Sequence, residues 1–158
     1  MKLWLVAALV ALGLVMALPV APASAATNEE FIIRLYSDFL GRGPDGDELA
    51  WNVALMANGT TRGQMATSVI TSTEGKGIYA HLVYDLILDR VPTGPELTSA
   101  VTALGSGTVG LEVQLYASSE YFGDHSSTNA GYVQGLYQDV LGRTGSPGDI
   151  AYWAGEIT

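Results

Sequence analysis

The chain has 158 residues, with 16 acidic and 7 basic side chains, a formal charge of −9 and no cysteine. A surface of that sign repels phosphates, which argues against nucleic acid and anionic membrane as partners. Without cysteine there is no disulfide framework, so stability has to come from a hydrophobic core or from a larger assembly.

The first segment does not read as fold. Lys2 precedes an apolar run from Leu3 to Ala17, Pro19 breaks it, and Ala23-Ser24-Ala25 offers small residues for cleavage. Charge, apolar run and small-residue exit in that order predict a secretory signal peptide over residues 1–25. The rival is an uncleaved anchor, since Leu3 to Val20 is close to the roughly 20 apolar residues that span a bilayer. Pro19, Pro22 and the small residues favour cleavage, and the lack of cysteine excludes a lipoprotein anchor. Residues 26–158 then form the mature chain, about one domain's worth. Losing Lys2 makes that chain one unit more negative. No membrane contact is expected after cleavage.

One phrase then recurs three times. It reads Leu35-Tyr36…Leu40-Gly41-Arg42, Val83-Tyr84…Leu88-Asp89-Arg90 and Leu136-Tyr137…Leu141-Gly142-Arg143. Shifts of 48 and 101 residues bring both the tyrosines and the arginines into register. The longer second spacing places an insertion in the loop Gly123 to Ala130. Periods of this size mark stacked helical units. The expected fold is all-α: tandem repeats of about three helices each, over 26–78, 79–125 and an incomplete 126–158.

In chain order, the first helix carries the stripe Phe31, Leu35, Tyr36 and Phe39. Its counterpart in the third unit is Tyr132, Leu136, Tyr137 and Val140, at helical rather than strand spacing. Thr27 with Glu30 is a capping box, and Gly41 suits a helix end needing a left-handed residue. The second helices start at Asp45 with Glu48, at Thr93 with Glu96, and at Ser146 followed by Pro147 and Asp149. Their stripes are Leu49, Val53, Met56, then Leu97, Val101, Leu104, then Ile150, Ala154, Ile157, all at i, i+4, i+7. The third helices carry Met65, Val69 and Ile70, with Thr61 and Gln64 as a capping box, and Leu111, Leu115 and Tyr116. Ser72 and Ser118, each two residues before Glu74 and Glu120, cap a short turn into the next unit. The third unit has only two helices, so either the reading frame is a fragment or a half-unit caps the stack.

The phrase resembles the bacterial family called domain of unknown function 4214 (DUF4214). Phe31-Ile32-Ile33-Arg34-Leu35-Tyr36, Leu40-Gly41-Arg42-Gly43-Pro44-Asp45 and Leu49-Ala50-Trp51 carry the resemblance. So do Leu136-Tyr137, Leu141-Gly142-Arg143 and Ile150-Ala151-Tyr152-Trp153, with Ser118-Ser119-Glu120-Tyr121-Phe122 as a closing motif. The second unit departs from the pattern at Asp89 and lacks a tryptophan. The resemblance implies an all-helical module of exported or cell-surface bacterial proteins, with no reaction and no catalytic residues. A fainter similarity to the helical linker domains of phycobilisomes also implies an assembly role.

No residue stands out as catalytic, cofactor-binding or metal-binding. Arg42, Arg90 and Arg143 offer guanidinium forks for an anion. Their expected role is structural, as helix-end cations paired with Asp38 and Asp139 four residues earlier. Asp45-Gly46-Asp47-Glu48 invites calcium, but Ala50 and Met56 stand where an EF-hand needs glycine and glutamate. Trp51, Tyr152 and Trp153 could stack on a sugar or peptide; core packing is expected, with one of the adjacent pair partly exposed. His81 and His125 have no second ligand at metal spacing, and no nucleophile elbow or phosphate loop occurs. Glu74 and Glu120 could act as a glycosidase pair only about 5 to 10 Å apart.

The expectation is therefore a non-enzymatic, secreted or cell-surface helical module that needs no cofactor. Its partner is a protein or a surface or matrix component. The alternative is an exported hydrolase of cell-wall carbohydrate, or the targeting module of one. A binding module should present an exposed apolar patch, and an enzyme a cleft with convergent carboxylates.

Overall fold

The computed structural model describes residues 26–106 and 108–157. The expected signal segment, 1–25, lies outside them. Among the described residues the chain is all-α, with nine α-helices, one short 3-10 turn and no strand. The helices are α1 (Asn28–Leu40), α2 (Gly46–Ala57), α3 (Arg62–Ile70), α4 (Thr73–Leu88) and α5 (Gly94–Ala103). After the turn Leu104–Ser106 come α6 (Thr108–Tyr116), α7 (Ser119–Asp124), α8 (Asn129–Asp139) and α9 (Pro147–Glu156). They divide into two compact units, residues 26–79 and 80–157, with the boundary inside α4.

Local chemistry sets where the helices begin. Thr27 accepts from the Glu30 N–H at 3.1 Å, and the Glu30 carboxylate accepts from the Thr27 N–H at 2.8 Å. Asp45 and Glu48 close the same reciprocal box at 2.7 and 2.9 Å, and Thr61 and Gln64 at 3.2 and 2.9 Å. The Glu96 carboxylate accepts from the Thr93 N–H at 2.7 Å. The first three boxes each satisfy two backbone donors that a helix start would otherwise leave open.

In residues 26–79, α1, α2 and α3 pack around one core. Ile32, Leu35, Tyr36, Met56, Met65 and Val69 are buried there, with Phe31, Leu40, Leu49, Val53, Leu55 and Ala66 packed against them. The buried face of α1 centres on Ile32, Leu35 and Tyr36, at i, i+3 and i+4. It is not the expected stripe ending in Phe39, which is 44% exposed. On α3, Met65 and Val69 face the core as expected, while Ile70 is exposed.

In residues 80–157 the core contains Val83, Tyr84, Ile87 and Leu88 of α4, Ala100 of α5, and Leu104. Leu111 and Leu115 of α6, Tyr121 of α7, and Val133 and Tyr137 of α8 join them. Tyr121 is fully buried and meets Tyr116 and Tyr132 edge-on, with centroids 5.1 and 5.8 Å away. α9 packs on α8, yet no residue of α9 is buried.

The capping serines behave alike and lead to different elements. Ser72 Oγ accepts from the Gly75 N–H at 3.0 Å, and Ser118 Oγ from the Tyr121 N–H at 3.1 Å. After Ser72 the helix runs unbroken through all of α4, rather than through a short turn. After Ser118 it stops at Asp124, where the inserted loop begins. Ser126 and Ser127 adopt left-handed φ of 68° and 51°, and α8 starts afresh with Thr128 as its cap.

Candidate functional site

The recurring arginines come first, because every copy of the phrase ends on one. α1 ends at Leu40, and Gly41 takes a left-handed φ of 68°. That conformation turns Arg42 out of the helical path and back over the Tyr36 ring, 5.3 Å from its centroid. Arg90 lies over Tyr84 at 5.2 Å and Arg143 over Tyr137 at 4.7 Å. Asp89 and Gly142 hold the same left-handed position, with φ of 52° and 63°.

Arg42 Nη1 and Nη2 donate to Glu48 at 2.7 and 2.8 Å, and Nε and Nη2 donate to Glu74, both at 2.7 Å. Nη1 also donates to the Gly43 carbonyl at 3.1 Å. All five N–H donors of the guanidinium are thus engaged. Arg90 repeats the arrangement with Glu96, Glu120 and the Val91 carbonyl. The expected Asp38–Arg42 and Asp139–Arg143 pairs do not form. The left-handed residue ends the helix before each arginine, so helical i, i+4 spacing no longer applies. Hydrogen bonds from Arg42 hold the Glu48 carboxyl down to about 2, and those from Arg90 do the same for Glu96. Glu74 and Glu120 are lowered by the same cause.

The third copy differs. Ser146 and Asp149 form a looser box, with the Ser146 N–H 3.4 Å from the carboxylate. Asp149 is one methylene shorter than Glu48 or Glu96. Arg143 forms no ion pair among the described residues. Asp139 turns elsewhere, accepting from the Tyr121 hydroxyl at 2.8 Å and lying 3.4 Å from His125 Nε2. His125 caps α7, stacks on Tyr121 at 4.1 Å, and its Nδ1 lies 2.8 Å from the Tyr121 carbonyl. Burial, reinforced by the bond to Asp139, pushes the Tyr121 hydroxyl well above its ordinary value. It therefore remains a donor at neutral pH. His81 stands apart on the exposed side of α4.

The aromatic residues overturn the core-packing expectation. Trp51 is 68% exposed, Tyr152 61% and Trp153 51%. Trp51 lies two positions from Leu49, about 200° around the helix, and so opposite the stripe that packs. Tyr152 and Trp153 meet edge-on at 5.1 Å on the outside of α9. Beside them, α8 and α9 leave an open groove of about 600 Å³. Its lining includes Val133, Leu136, Tyr137, Val140, Trp153 and Ile157, and is almost wholly apolar. By spacing alone these residues read as a core stripe.

Fold and site thus define an all-helical module built on a tyrosine–arginine–glutamate clamp, with an apolar groove on its last helix pair. The chain belongs to the family described as a domain of unknown function, DUF4214, whose model matches residues 21–78 and 113–158. Neither the curated proteins nor the solved structures contain a match to it. Among the described residues no helix is long and apolar enough to cross a membrane.

Proposed function

We propose that this chain is a secreted or cell-surface helical module that binds a protein or a surface or matrix component and carries out no catalysis. The observation that carries the reading is the open apolar groove beside the exposed Tyr152–Trp153 pair. Such a patch is unusual on an unpartnered surface and common where another molecule docks. Export is supported by the pattern Lys2, Leu3 to Ala17 and Ala23-Ser24-Ala25.

The hydrolase alternative needs one carboxyl held protonated near neutral pH. Glu74 and Glu120 are lowered instead, each clamped by an arginine. That disposition favours a structural role for both.

The test has two arms. Expressed with its N-terminus in a bacterial host, the chain should reach the medium or envelope with a mass beginning near Ala26. Retention in the membrane fraction at full length overturns cleavage and secretion, and retention inside the cell overturns export. The purified chain should then co-sediment with envelope material from its own host without releasing soluble sugar. Sugar release transfers the assignment to the hydrolase.

A further inference from the structure

The groove is a core with one wall open. Moved back by 101 residues, its lining falls on the core of residues 26–79. Val133, Leu136 and Tyr137 take the places of Ile32, Leu35 and Tyr36, and Ile157 that of Met56. In residues 26–79 these positions form one buried cluster with Met65 and Val69 of α3, at 1% and 6% exposure. No described segment lies on α8 and α9 in that way, and Leu136 and Ile157 stay partly uncovered. The frame is already fixed, since Asn129 Nδ2 donates to the carbonyls of Ala154 and Ile157 at 3.2 and 3.0 Å, tying the end of α9 to α8.

The charges repeat the same pattern. Beyond Val69 come Ser72 and Glu74, and Glu74 closes on Arg42. Beyond Leu115 come Ser118 and Glu120, and Glu120 closes on Arg90. Both segments read apolar, three residues, apolar, two residues, Ser, one residue, Glu. Arg143 already lies over Tyr137, posed as the other two arginines are, but with no carboxylate among the described residues.

We propose that the α8–α9 groove is the seat for an amphipathic helix with apolar residues at i and i+4 followed by Ser-x-Glu, whose glutamate closes on Arg143. This is helix-in-groove recognition, with apolar anchors supplying contact area and the bidentate ion pair fixing register. It rests on the binding reading above and names the partner's chemistry.

The probe is a labelled peptide of residues 60–76, which carries Met65, Val69, Ser72 and Glu74. Fluorescence anisotropy against the exported chain should show saturable binding. Arg143→Gln, at an exposed position, should weaken it at least about tenfold, and Glu74→Gln in the peptide should do the same. The two changes together should cost no more than either alone, as expected of groups that act on each other. Trp153→Asp should weaken binding while circular dichroism stays unchanged. No saturation up to about 1 mM overturns the proposal, as does saturable binding indifferent to Arg143. A chain that sediments with envelope material yet ignores the peptide sinks only the helix assignment. A chain that does neither sinks the binding reading with it.

Discussion

Arg42 and Arg90 explain why a tyrosine, a left-handed residue and an arginine recur together. The tyrosine face receives the guanidinium, and the left-handed turn directs it there. Two glutamates then hold it, one from the following helix start and one from a distant cap. Lysine cannot reproduce a planar fork with five donors. Arg90→Lys should therefore lower the thermal midpoint almost as far as Arg90→Gln, measured side by side by circular dichroism. At Gly41 a Cβ meets open space, but φ of 68° strains any L-residue. Gly41→Ala should cost about 1 kcal/mol in urea unfolding. Only part of this was legible beforehand. The left-handed glycine and the capping glutamates are local patterns, visible in a few consecutive residues. The arginine's second partner is not: Glu74 lies 32 residues away, and the nearer Asp38 looked better on helical spacing.

At the scale of elements, a cap fixes where a helix starts and the sequence beyond it decides how far the helix runs. Ser72 and Ser118 make matching bonds, but the first opens a 16-residue helix and the second a 6-residue one. The five inserted residues cause the difference, because Ser126 and Ser127 take conformations that no helix continues through. Ser118→Ala removes an accepted bond from Tyr121 and should cost about 1 kcal/mol by chemical unfolding. Insertions of this kind are readable as length but not as shape. The loop was located from the repeat register alone, whereas the way His125 folds onto Tyr121 and Asp139 needed the structure. The exposure of Trp51 was legible in principle, since it lies off the Leu49–Val53–Met56 stripe. Its size suggested burial, and its phase on the helix decided against it.

At the scale of the molecule, the two clamps lie one in each compact unit, so acid should act on both. Glu48 and Glu96 titrate near 2 in the folded chain, against an ordinary 4.5. Carboxyls lowered on folding add stability above the unfolded value and lose it as pH falls towards the folded one. Thermal midpoints should therefore hold at neutral pH and fall between about pH 4.5 and pH 2. The double variant Glu48→Gln and Glu96→Gln should start lower and fall less steeply. An equally steep fall would show that other carboxyls govern the acid response. The all-helical class was legible from composition and phase together. The open groove was legible in part, since a third unit of two helices predicts an uncovered stripe on its second helix, whereas the share of α8 in the groove needed the structure.

Trp51 and Trp153 are the tryptophans of the described residues, and both face water. An indole already relaxed by solvent emits at the red end of its range, much as it does in an unfolded chain. Intrinsic fluorescence should thus be nearly silent to denaturation, and a flat trace would not mean that the protein had failed to unfold. Trp153, on the groove wall, would instead shift to the blue when something settles over it, so the chain carries its own optical reporter of occupancy.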